Sequence, residues 1–219
     1  MRRRRGHSSR SRSDVHAIRA IGRLRLARTL AQTTRRPGQA AVCWIFSPWL
    51  PRSPRESDIW TSALAIHDVN GTLLAALPNT AGRWSHVYAG VFAVDPLRAR
   101  GELIRHIKAA GVGGVINFPS VSFFDGEASA TFDRLSLGMN HEIDCLEACA
   151  REGLRVGGVV RSLQAAQRLL RIGADFLVVH NGPPASEGQN SVAEARAIGE
   201  AAPRKIRSFL MSELIETMA

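Results

Sequence analysis

The sequence predicts an α/β fold of alternating strands and helices, and of the two architectures with that pattern it favours the closed (β/α)8 barrel. Three observations carry this. From about residue 84 onward, short apolar runs without polar alternation are each followed by an amphipathic stretch, the pattern of a parallel sheet covered by helices. Each apolar run ends in a polar residue, as barrel strands do when they deliver side chains to the mouth. An open dinucleotide-binding sheet would carry its glycine fingerprint just after the first strand, but GVGG at Gly111–Gly114 precedes a strand.

The elements follow in order. HVYAGVFAV (His86 to Val94) reads as a buried strand. DPLRARGELIRHIKAAG reads as a helix with Asp95 at its N-cap, Pro96 at its first position and Gly111 closing it. VGGVINF is the next strand, and the segment NFPSVSFFDG then leaves it as a loop that Pro119 stiffens and Asp125-Gly126 turns. LGMNHEIDCLEACAREG is a helix ending at Gly153, LRVGGVV a strand, SLQAAQRLLRIGA a helix capped by Ser162, and FLVVHNG a strand. SVAEARAIGEAA is a further helix and KIRSFLMS the last strand.

A chain of 219 residues, 45% of them hydrophobic, suits one large globular domain, residues 37–219. No stretch reaches the roughly 18 to 20 apolar residues of a spanning helix, so a cytoplasmic protein without a membrane partner is expected. The net charge of +10 is not spread over the fold. Residues 1–36 hold 12 arginines and one acid, Asp14, which leaves 17 basic against 18 acidic side chains in the rest. The body is therefore neutral, and nucleic acid is expected as a partner only through the basic segment. Within that segment Val15, Ile18, Ile21, Leu24, Leu26 and Leu30 recur at roughly helical spacing, as in a cationic amphipathic helix. Residues 1–36 read as a disordered or helical extension, open to three interpretations: a targeting peptide, an arm for RNA or a membrane surface, or a non-native extension from an upstream start. Cys43, Cys145 and Cys149 form no paired disulfide framework, in keeping with a reducing compartment. Cys145 and Cys149 are four apart on a helix and read as small core-facing residues.

The polar strand ends are Asp95, Asn117, Arg161, His180 with Asn181, and Ser212 with Glu213. His180 at the end of FLVV suits a neutral imidazole acting as general acid/base or metal ligand, or a strand-end histidine bonded to a carbonyl. Asp95 suits either Mg2+ ligation or the helix cap. Asn117, expected to point into the mouth, offers a donor and an acceptor to a substrate carboxylate or enolate oxygen, or ties down its loop. Glu142 starts a helix, where the macrodipole accounts for an acid as readily as catalysis does. Arg161 suits an anionic substrate or an exposed place beside the N-terminus of the following helix, and Asp125 is a turn residue.

AGVFAVDP, GVINFPSVSFFDG, LGMNHEIDCLEACAREGL and GADFLVVHNG, in this order, resemble segments of the TIM-barrel signal transduction or phosphoenolpyruvate hydrolase-like family, of the phosphoenolpyruvate/pyruvate barrel group. DVNG at Asp68 to Gly71 looks like that family's D-A-N-A. The resemblance covers roughly residues 60–185. It implies a lyase or hydrolase acting on a small 2-oxo acid or phosphonate, possible Mg2+ dependence at Asp95, and a homo-oligomer. It supports Asp95, Asn117, Asp125, Glu142 and His180 as matching polar positions. Together with the strand ends this gives Asn117, Glu142 and His180 as the expected catalytic set and Arg161 and Asp125 as expected substrate contacts. The alternative is a non-catalytic regulatory or ligand-binding barrel. The family's glycine-rich first-strand loop has no counterpart, NGPPASEGQNS replaces its glycine-rich segment after His180, and its last segments are missing. Units one, two and eight are thus the divergent ones, with Ala41–Phe46 and Ala63–Ile66 as replacement strands, a truncated chain, or completion by a partner as the alternatives.

Overall fold

A computed structural model describes residues 23–34, 42–64, 66–78, 84–180, 189–203 and 206–216. Seven parallel strands form a nearly closed barrel: β1 (Arg23–Ala27), β2 (Val42–Phe46), β3 (Trp84–Val91), β4 (Val112–Asn117), β5 (Arg155–Val160), β6 (Phe176–Val179) and β7 (Arg207–Leu210). They pair in chain order. The connections carry α1 (Glu56–Ser62), α2 (Val69–Ala76), α3 (Arg100–Ala110), α4 (Gly126–Arg134), α5 (Met139–Arg151), α6 (Leu163–Arg171) and α7 (Gln189–Ala201). A short helix, α8 (Met211–Glu216), follows β7 and touches both β7 and β1, so it stands in the gap between the two edge strands. Edges left bare would expose backbone donors and acceptors.

Local chemistry explains several boundaries. Asp68 caps α2 by accepting from Gly71 N–H at 2.8 Å, and Ser162 caps α6 by accepting from Ala165 N–H at 3.2 Å. Gly111 ends α3 at φ 74°, the left-handed conformation that glycine reaches at least cost.

Strand alternation separates two cores. Outward residues such as Val91, Val115, Val160 and Leu177 pack under the helices. Inward residues such as Ile45, Tyr88, Ile116, Val159 and Val178 fill the barrel. Phe176 and Tyr88 meet edge to face at 4.9 Å inside it, and glycine makes the room: a Cβ on Gly157 would sit 2.4 Å from Phe176 Cζ. Tyr88 donates its hydroxyl to Asp175, and Arg155 lies over the Tyr88 ring at 5.0 Å.

Several expectations change. Arg23–Ala27, read as part of a helical or disordered extension, is β1 and pairs in register with Val42–Phe46. Leu24 and Leu26 face the barrel core while arginines alternate with them, so the apolar residues assigned to a helix serve a period of two here. Residues 1–22 lie outside the described residues. The first two units are therefore occupied, and Val42–Phe46 is the expected replacement strand. Of the expected strand Ala63–Ile66, the described residues Ala63, Leu64 and Ile66 are in no strand: Ala63 ends α1, and Leu64 and Ile66 are 44% and 64% exposed. Asp95 caps no helix, because α3 starts at Arg100 after Ala99. Ser212 and Glu213 lie exposed on α8, and Asn181 lies outside the described residues. All three cysteines are buried. Among the described residues no helix is long and apolar enough to cross a membrane.

The fit of Gly157 to Phe176 is testable. Gly157→Val should lower unfolding free energy by about 1–3 kcal/mol through overpacking, read as a lower urea midpoint at unchanged slope; an unchanged midpoint would mean that the ring relocates without cost.

Candidate active site at the barrel mouth

Period two decides which polar residues reach the mouth. Val159 and Val178 face inward as partners on β5 and β6, so the inward positions one step beyond them are Arg161 and His180. His180 N–H donates to Val160 O at 2.9 Å, which continues the ladder to this level. His180 is 3% exposed. Burial, with a further contribution from the Arg161 charge, pushes its imidazole down from 6.5 to about 4, so it is neutral at physiological pH. Phe123 lies against its ring at 4.9 Å and Trp60 of α1 at 6.4 Å. Arg161 pairs with Asp125 at 3.1 Å, where the Asp125 side chain is 44% exposed. Arg161, His180 and Asp125 thus form one constellation at the mouth.

Asn117 is one residue out of phase. Ile116 faces the barrel interior, which turns Asn117 to the outer side, fully buried beneath α5. Its Oδ1 accepts from Val159 N–H at 2.7 Å and its Nδ2 donates to Val159 O at 3.1 Å. The backbone ladder between β4 and β5 runs only to Ile116 and Gly157, so the side chain extends it with a backbone-like pair. Nδ2 also donates to Glu142 Oε2 at 2.6 Å. Glu142 is wholly buried and accepts from Ser120 Oγ at 2.7 Å and from Val121 N–H at 2.8 Å. Burial raises its carboxyl from 4.5 to about 7 against the opposing pull of these donors. Asn117 and Glu142, expected in the catalytic set, are joined to each other and not to the mouth. They anchor the loop that carries Phe123 and Asp125.

A second amide repeats the device. Asn70 of α2 brackets Phe92, accepting from its N–H at 3.0 Å and donating to its carbonyl at 2.9 Å, and donates to Asp95 Oδ2 at 2.9 Å. Asp95 also accepts from Leu97 N–H at 2.8 Å and from Arg98 at 3.3 Å. Arg98 reaches on to Asp68 at 2.7 Å and holds that carboxyl below its usual range. A Mg2+ ion at Asp95 would need further oxygen donors facing the same point. Among the described residues no three His, Cys, Asp or Glu side chains converge on one, and the guanidinium beside Asp95 repels a cation. The residues around Asp95 do not fit the ion.

Three mouth residues carry no signal in the sequence. Ser47 follows β2 in the inward phase of Cys43 and Ile45. It is fully buried, and its Oγ has no hydrogen-bond partner among the described residues. Trp49 Nε1 is likewise unpartnered. Rings run from Trp49 through Phe118 at 5.3 Å and on to Phe123 at 6.4 Å, toward His180. Trp60 is the third. Serine and tryptophan in SPWLPRSPRESDIW look like loop residues, and only the fold turns them inward.

This arrangement defines an α/β barrel with Arg161 and His180 at its mouth. The chain matches the phosphoenolpyruvate hydrolase-like family over residues 61–211, more than half of its length, and belongs to that family. It is 36% identical over 115 residues to the uncharacterized protein y4oT of Sinorhizobium fredii, covering 52% of this chain and 59% of that protein. It is 32% identical over 96 residues to the ToMV resistance protein Tm-1(GCR237) of Solanum lycopersicum, covering 44% of this chain and 13% of the tomato protein. The match thus spans less than two thirds of either relative.

The Glu142 network predicts a pH dependence of stability. A carboxyl raised from 4.5 to about 7 on folding contributes stability that is fully present below 4.5 and lost as pH rises through 7. His180, lowered from 6.5 to about 4, has the opposite sign and loses its contribution as pH falls through that window. The difference between wild type and Glu142→Gln isolates the carboxyl. Wild type should gain on the variant by up to about 3 kcal/mol between pH 8 and pH 5 in urea denaturation; a pH-independent difference would refute the raised carboxyl.

Proposed function

We propose that the mouth binds a small 2-oxo acid or phosphonate and cleaves it as a lyase or hydrolase. What carries the reading is the placement of a guanidinium and a neutral imidazole side by side, one step beyond the last inward pair of β5 and β6. Arg161 offers its fork to the substrate's carboxylate or phosphonate, in place of or alongside Asp125. His180 suits an acid/base cycle: neutral at the start, it takes the proton of the attacking water or substrate hydroxyl, and the imidazolium returns it to the developing carbanion or enolate. An anion on Arg161 offsets the guanidinium charge and so raises the imidazole toward the range that proton transfer needs. Phe123 and Trp60, packed against the ring, limit access of bulk water to the imidazole. Ser47 Oγ, buried without a partner, supports a ligand that completes its hydrogen bonding.

A second reading, a ligand-binding barrel without turnover, is favoured by one observation: Asn117 and Glu142 are spent on the scaffold, which leaves His180 and the ion-paired Asp125 as the acid/base groups at the mouth among the described residues.

The two readings separate in one experiment, a panel of small 2-oxo acids and phosphonates scored for both product release and a rise in melting temperature. His180→Gln should lower kcat by about 10²–10⁴-fold while the ligand-induced rise persists. Arg161→Ala should abolish the rise and increase KM. A ligand that raises the melting temperature of wild type without any product would favour the second reading, and no ligand response at all would sink both.

A further inference from the structure

A groove of about 470 Å³ runs between α3 and α5 on the outer surface of the barrel. It is large enough for a small-molecule ligand. Its walls follow from helical spacing: Gly101, Ile104, Arg105 and Lys108 lie on one face of α3, and Ala148, Arg151 and Glu152 at the end of α5 face them. Ile104 and Ala148 form an apolar floor. Gly101 opens the space, since a Cβ built there would meet nothing within 4 Å.

The charge in this groove is unlike the rest of the body. Residues 37–219 are neutral, yet the groove gathers Arg100, Arg105, Lys108 and Arg151 against the single acid Glu152. Glu152 is committed to Lys108 at 2.8 Å. Arg100, Arg105 and Arg151 have no carboxylate partner among the described residues. Three unpaired guanidinium groups around an apolar floor suit a compact polyanion, because guanidinium recognises phosphate oxygens bidentately.

We infer that the groove between α3 and α5 is a binding site for a small ligand carrying two or more phosphate groups, separate from the barrel mouth. The inference does not depend on the function proposed for the mouth. The apolar floor accommodates the non-phosphate part of a nucleotide, whereas inorganic polyphosphate would use the cations alone.

The test is calorimetric titration of the full chain with inorganic tripolyphosphate and with ADP, comparing wild type with Arg105→Glu/Arg151→Glu and with Gly101→Glu. The second variant places a carboxylate in open space and so preserves the fold if the first does not. One saturable site is expected, weakened about tenfold or more in either variant that keeps the wild-type melting temperature without ligand, and weakening as salt rises. Tighter binding of ADP would identify a nucleotide, and tighter tripolyphosphate an inorganic polyphosphate. Equal affinity in wild type and variants would assign binding to the arginine-rich residues 1–36 and overturn the inference, as would no binding of either probe at millimolar concentration.

Discussion

The hydrogen bonds of Asn117 are the interaction on which the mouth depends. One amide closes on both backbone groups of Val159, two residues before Arg161, and donates its remaining hydrogen to Glu142. Glu142 in turn holds Val121 N–H, two residues before Phe123. A single buried network therefore sets the height of β5 against β4 and fixes the loop that lays an aromatic ring against His180. An unpaired carboxylate in this position would be expensive, and the three donors around Glu142 are what make its burial tolerable. The same arrangement of an amide bracketing a backbone unit with a carboxylate behind it recurs at Asn70, Phe92 and Asp95. Two of the eight βα levels of a full barrel are thus tied from the outside, which leaves the inner face free for ligands.

That division of labour accounts for the distribution of titration behaviour. Glu142 and His180 are both buried, and both shift toward their neutral forms, one upward and one downward. Their settings differ in what surrounds them. Glu142 has donors on both oxygens, as a scaffold carboxylate does. His180 has rings on two sides and a guanidinium beside it, a setting in which a bound anion changes the local charge balance. The outer groove between α3 and α5 has neither feature: its cations are exposed, and its chemistry is that of charge and shape.

Closure of the barrel is handled by a helix. Seven strands paired in order leave β1 and β7 as edges, and α8 touches both. The ends of β1 and β7 facing the mouth are thereby brought under Met211 and Leu214, both buried in the inner core. Such a seam replaces strand hydrogen bonds with apolar contact, which is compatible with the twist that the other strand pairs impose.

How much of this was legible varies element by element. The strands from β3 to β7, the helices between them other than α4 and the caps at Ser162 and Gly111 follow from apolar runs, helical periodicity and the chemistry of single residues, all of which are local. His180 and Arg161 were legible at the mouth because strand ends in a parallel barrel converge, whereas Asp125, read as a turn residue, meets Arg161 only through the course of its loop. β1 was not, since Leu24 and Leu26 were absorbed into the roughly helical run of Val15, Ile18, Ile21 and Leu30, and only the register with β2 shows that they serve a period of two. Nor was the side of the sheet that Asn117 faces: NFP gives the end of the strand only to within a residue, and one residue reverses the face. Ser47, Trp49 and Trp60 enter the mouth only because β2 and α1 are folded over it. By itself the sequence determined the order and type of most elements from β3 onward and the residues available at their ends, because these depend on neighbours along the chain. Tertiary structure alone decided which of those residues share the mouth and which lock the wall, because strand phase and burial arise only when the strands pair.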